Sequence, residues 1–168
     1  MHFRVHAFLW SLIIASCAGC STVRESRPVA AEAPANTPSP AVPETAQQIV
    51  ELARAQLGVE YQFAGATPRG FDCSGLVYYV YSVAGITVPR TVAGQRIAAR
   101  EVALDSLLPA DLVFFRSSGA AIDHVVIFIG DGQFVHAPRS GRVVELGRLD
   151  DPWYAQRLAG AGRLTASR

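Results

Sequence analysis

The chain is poor in the side chains that carry most metal and nucleophile chemistry, and it has no lysine at all. Its 168 residues hold three Cys, four His and one Met, and all fifteen basic residues are Arg, which we read as genomic composition. The formal charge is only +1, with 17% charged residues, so electrostatics gives no case for nucleic acid or another polyanion as partner. There is no internal repeat and no sign of a second domain. The apolar run Ala7 to Ala15 is too short to span a bilayer. What is present is 50% hydrophobic residues, enough for one globular domain with a modest core.

The N-terminus reads as an export signal. Arg4 and His6 precede the apolar run, and the small residues Ser16-Cys17-Ala18-Gly19-Cys20 follow it. This resembles a bacterial lipoprotein signal, which implies cleavage before a Cys and lipidation there, at Cys20 in preference to Cys17. The resemblance implies an exported lipoprotein held at the outer membrane and facing the periplasm. Residues 21–44 contain five prolines among small and polar neighbours. Such a segment cannot build a core and is expected to be a disordered tether, reaching roughly 70 Å at most if extended. The domain is then expected over 45–168.

Thr45 and Gln48 form a capping-box pattern ahead of an apolar stripe, Ile49, Leu52, Ala53 and Leu57. Val59 to Phe63 reads as extended, Gly65 to Gly70 as a loop. A second helical pattern runs from Cys73 to Ala84, with Cys73, Leu76, Val77, Val80, Val83 and Ala84 on one face. Ile86 to Thr91 reads as extended and Val92 to Ala99 as a short helix. Strands follow at Leu112–Phe115, His124–Ile129, Gln133–Ala137 and Val143–Leu146. Trp153 to Arg157 reads as a turn of helix before a closing strand, Gly162 to Leu164. Helices first and consecutive strands after predict an α+β fold with an antiparallel sheet.

Two of the four histidines lie in the export signal, which leaves His124 and His136 beside the thiol of Cys73. A thiol nucleophile needs a base, and the base needs a partner that fixes its tautomer. Asp72 suits a helix cap, so Cys73 would sit in a first helical turn, where free N–H groups and the helix dipole favour a thiolate and lower the thiol pKa. Strand parity sets a condition on the histidines. A two-residue Asp131-Gly132 hairpin puts their rings on opposite faces. A three-residue Gly130-Asp131-Gly132 loop with Gly132 left-handed puts them on one. Asp123, His124, His136 and Cys73 carry zinc-ligand chemistry without the close spacing of a zinc site.

The stretches Asp72-Cys73-Ser74-Gly75-Leu76-Val77, Asp111-Leu-Val-Phe-Phe and His124-Val-Val-Ile-Phe-Ile-Gly-Asp-Gly-Gln-Phe-Val-His-Ala-Pro resemble the NlpC/P60 family of papain-like cysteine peptidases, over roughly residues 46–165. The resemblance implies a peptidoglycan endopeptidase without a cofactor. Cys73 would be the nucleophile, His124 the general base and His136 its orienting partner. Tyr61 would assist at the oxyanion site, while Asp72, Ser74 and Arg90 would line the substrate's side. It implies peptidoglycan peptides as partners and a monomer anchored to the membrane by lipid. Ala64 departs from the family's usual Gly and would place a methyl beside the cleft. A non-catalytic wall-binding module and a thiol-dependent acyltransferase are the alternatives.

Overall fold

The computed structural model describes residues 43–165; the expected signal with Cys17 and Cys20, and most of the expected tether, lie outside them. Helix α1 (Glu44–Arg54) starts one residue ahead of the expected cap. Pro43 occupies the N-cap at φ −51°, and its carbonyl accepts from the N–H groups of Ala46 and Gln47 at 2.8 and 3.1 Å. Thr45 therefore sits inside the first turn, and no side chain caps this helix. Ile49 and Ala53 are its buried residues, whereas Leu57, beyond its end, is exposed.

A small hairpin, β1 (Ala66–Thr67) and β2 (Gly70–Phe71), replaces the expected loop. It feeds α2 (Cys73–Val83), which buries Leu76, Val77, Val80 and Tyr81. Val83, expected on that face, is exposed. Helix α3 (Val92–Ala98) is capped by Thr91, whose hydroxyl accepts from Gly94 N–H at 3.2 Å. The remaining strands are β3 (Arg100–Val102), β4 (Leu112–Phe115), β5 (His124–Gly130), β6 (Gln133–His136), β7 (Glu145–Arg148) and β8 (Leu158–Arg163), with the one-turn helix α4 (Pro152–Ala155) before β8.

These six strands form one antiparallel sheet in the order β3-β8-β4-β5-β6-β7, so the architecture is α+β as expected. Both faces are covered. Leu112, Phe114, Val125, Ile127 and Val135 pack with α1 and α2. Val113, Phe115, Val126, Phe128 and Phe134 pack on the other side with Tyr154 and Leu158. Full burial of both faces explains why β4 reads as the unbroken apolar run Leu-Val-Phe-Phe.

Candidate active site

Helix α2 opens on Asp72, whose Oδ1 accepts from Gly75 N–H at 2.7 Å. That cap sets Cys73 at the first helical position, where its N–H has no intrahelical acceptor. The thiol points toward the start of β5, with Asp123 O, one residue before His124, 4.0 Å from Sγ.

The hairpin β5–β6 brings the histidines together. Its register pairs Ile127 with Val135 and Phe128 with Phe134, and continuing it sets His136 opposite Val126. His124 and Val126 share a face, so both rings lie on one side of the sheet. The condition read from the sequence is met by a different device. The turn has two residues, Asp131 and Gly132, both at positive φ (+51° and +69°), as a primed turn requires. The odd residue is absorbed as a bulge between Phe128 and Gly130.

His124 Nε2 lies 2.9 Å from His136 Nδ1, and the rings meet edge to face with centroids 5.2 Å apart. Nδ1 is thereby the ring nitrogen of His124 left for the thiol. His136 Nε2 faces the Tyr154 hydroxyl at 3.2 Å and Glu145 Oε1 at 3.7 Å. Glu145 is the cross-strand partner of His136 in the β6–β7 register, and Arg142 holds its other oxygen at 2.5 Å. Sequence reasoning missed both residues. It placed strand β7 two residues early, at Val143, which instead bridges Glu60, and Tyr154 carried no local signal beyond a helical turn.

Cys73, His124, His136 and Tyr61 line one cavity of about 940 Å³, together with Ser117, Asp123, Arg139, Arg142 and Glu145 among others. Phe115 and Phe134 flank the imidazoles. This dry setting lowers the pKa of His124 to about 4, burial outweighing the pull of Asp123. His136 falls to about 3 through burial, then the neighbouring His124 and Arg142. Burial also pushes the Cys73 thiol up to about 11, overriding the backbone N–H groups that favour a thiolate. The lowered thiol pKa expected from the helix start is thus overturned by desolvation. At neutral pH the resting groups are a neutral thiol and neutral imidazoles.

The other expected site residues fall elsewhere. Arg90 donates to both oxygens of Asp72 (3.0 and 2.8 Å), to Ser74 Oγ (3.0 Å) and to Gly65 O (3.0 Å). Asp72, Ser74 and Arg90 thus satisfy one another in a clamp under the Cys73 backbone, and none of them is among the residues lining the cavity. Ala64 is exposed and also off the cavity, so its methyl does not narrow the cleft. It stands at φ +59°, the left-handed conformation that Gly adopts freely.

Comparison with known proteins places the chain in a family. The family described as NlpC/P60 matches residues 58–163. The chain is 39% identical over 115 residues to murein DD-endopeptidase MepH of Escherichia coli, covering 65% of this chain and 42% of that protein. It is 37% identical over 128 residues to a gamma-D-glutamyl-L-lysine dipeptidyl-peptidase of Bacillus cereus, covering 75% of this chain and 37% of that protein. The chain therefore spans about two fifths of the length of these relatives. Among solved structures, the NlpC/p60 domain of peptidoglycan hydrolase SagA superposes with a TM-score of 0.63 at 33% identity, covering 71% of this chain and 98% of that one.

Proposed function

Since this chain belongs to the NlpC/P60 family, we propose that it is a cysteine-type endopeptidase that hydrolyses stem or cross-link peptides of peptidoglycan. The observation that carries this reading is the His124–His136 contact of 2.9 Å in the same cavity as the helix-start thiol. His124 Nδ1 takes the thiol proton as Sγ attacks the scissile carbonyl carbon, because a neutral imidazole beside a neutral thiol acts as a general base in the same step. The carbonyl oxygen becomes an oxyanion, with the Cys73 N–H and the Tyr61 hydroxyl as its donors. Collapse breaks the C–N bond, and His124 gives its proton to the departing amine. A water molecule then loses a proton to His124 Nδ1 and attacks the acyl-enzyme. The thiolate leaves and recovers that proton.

The bond is D-γ-glutamyl–meso-diaminopimelate or D-alanyl–meso-diaminopimelate. Asp72, Ser74 and Arg90 serve the substrate by holding the Gly65 and Cys73 backbones in place. The enzyme acts as an exported lipoprotein, anchored through Cys20 or Cys17 at the outer membrane and reaching murein on its proline-rich tether.

Digestion of purified muropeptides followed by mass spectrometry tests the reading and names the bond. We expect cleavage by the intact protein and a loss of at least about a thousandfold in Cys73→Ala. Unchanged muropeptides with the wild type, or full activity in Cys73→Ala, would reject it.

A further inference from the structure

The His124–His136 contact leaves one matter open that its length does not decide. Either nitrogen can carry the shared proton. If His136 Nδ1 donates, neutral His124 holds its own proton on Nδ1 and cannot accept one from the thiol. If His124 Nε2 donates, Nδ1 is a lone pair and His124 is a base. The direction must be set from the far side of His136, where Nε2 faces Tyr154 and Glu145. The Tyr154 hydroxyl can donate or accept, so by itself it sets nothing. An ionised carboxylate can only accept, and its charge favours a proton on the nitrogen nearest to it.

We propose that Glu145, seconded by Tyr154, is a positioning residue that fixes the proton of His136 on Nε2 and so leaves His124 Nδ1 free as the base. The proposal rests on the peptidase reading above. Glu145 stands opposite His136 across β6 and β7, and its Oε1 is 3.7 Å from Nε2. With Nε2 protonated, neutral His136 has a bare Nδ1 and must accept from His124. When the thiol proton reaches His124 Nδ1, the new positive charge is spread toward the Glu145 carboxylate, while the proton on His136 Nε2 stays where it is. Arg142 works against this. It binds Glu145 at 2.5 Å, and its charge disfavours an imidazolium nearby. Asp123, beside His124, acts in the same sense as Glu145, and the Cys73 thiol, Tyr61 and Arg139 line the same cavity.

Nitrogen-15 NMR of the imidazoles at neutral pH tests the direction on the full chain without any substrate. In the wild type, both rings should show a protonated Nε2 and a bare Nδ1. Glu145→Gln removes the charge and supplies an amide that can donate to Nε2, so His136 should show Nδ1–H. On muropeptides, this variant should lose about tenfold or more in kcat with KM unchanged, and Tyr154→Phe should lose less. Arg142→Gln should keep the wild-type tautomers and move the acid limb of kcat/KM to higher pH, while Glu145→Gln moves it lower; a mere packing role would not give opposed shifts. A wild-type spectrum with His136 protonated on Nδ1, or unchanged tautomers in folded Glu145→Gln, overturns the proposal. If the tautomers behave as stated but wild-type protein leaves muropeptides uncut, it is the peptidase reading that fails.

Discussion

Among single residues, Ala64 and Ala110 are alanines held at positive φ, and of the two Ala64 is the exposed one. It holds φ +59° in an exposed position before Gly65, where its Cβ is crowded by the neighbouring peptide without gaining any contact in the cavity. Replacing it by Gly removes that strain, partly offset by a more flexible unfolded chain. We expect Ala64→Gly to raise unfolding stability by about 1 kcal/mol in urea titrations, with muropeptide cleavage unchanged; a loss of stability would contradict this account. The residues that carry the proposed chemistry were legible for a different reason. Cys73, His124 and His136 stand out because residues 21–168 contain no other Cys or His. Glu145 and Tyr154 did not stand out, since one Glu on a strand and one Tyr in a helical turn gain meaning only through cross-strand register. The pKa of Cys73 was misread because helix position is visible in sequence, whereas the burial that outweighs it is a property of the packed molecule.

At the scale of elements, the start of α2 is built by close backbone approach. An added Cβ at Gly75 would lie 1.9 Å from the Gly65 carbonyl oxygen and 3.0 Å from the Arg90 guanidinium. The same oxygen accepts from Arg90 and from Asp72 N–H, at 3.0 Å each. Any side chain here must push the Gly65 loop off the helix, and with it the clamp that seats Cys73. We expect Gly75→Ala to destabilise the fold by about 1–3 kcal/mol in thermal or urea unfolding, and to lower kcat more than a substitution of equal stability cost at exposed Val83. Wild-type stability and activity in Gly75→Ala would refute the clamp. Helix α2 was readable because it has a side-chain cap and an apolar pattern, whereas α3 has the Thr91 cap but buries only Gln95. The sheet was less so. Strand β3 is a polar edge segment, Arg100-Glu101-Val102, paired with β8, and β8 carries two glycines in Leu158–Arg163, so neither has the β-branched signature of a strand. The β5–β6 hairpin shows a further limit. Its Asp-Gly turn was plain, but a bulge is a property of the pairing, not of either strand alone.

For the molecule as a whole, the buried histidines tie stability to pH. An unfolded chain binds protons at these rings near the ordinary histidine value of about 6.5, whereas the folded values are about 4 for His124 and about 3 for His136. Between those limits the unfolded state holds protons that the native state refuses, so stability rises with pH across the window. The contribution is full above about 6.5 and is lost as pH falls toward the folded values. The slope approaches roughly 1.4 kcal/mol per pH unit for each histidine. The carboxylate of Asp123 is lowered by its bonds from Ser118 and Ser117 despite the opposing effect of burial, so its own contribution is lost in the same direction, at the acid end of this window. Melting temperature should therefore be flat from pH 7 to 8 and fall steadily from about pH 6 to 4. His136→Gln should flatten that fall by removing one of the two rings, whatever it does to activity. A wild-type melting temperature independent of pH between 6.5 and 4 would mean that these imidazoles are not buried neutral, and the general-base step drawn from their neutrality would fall with it.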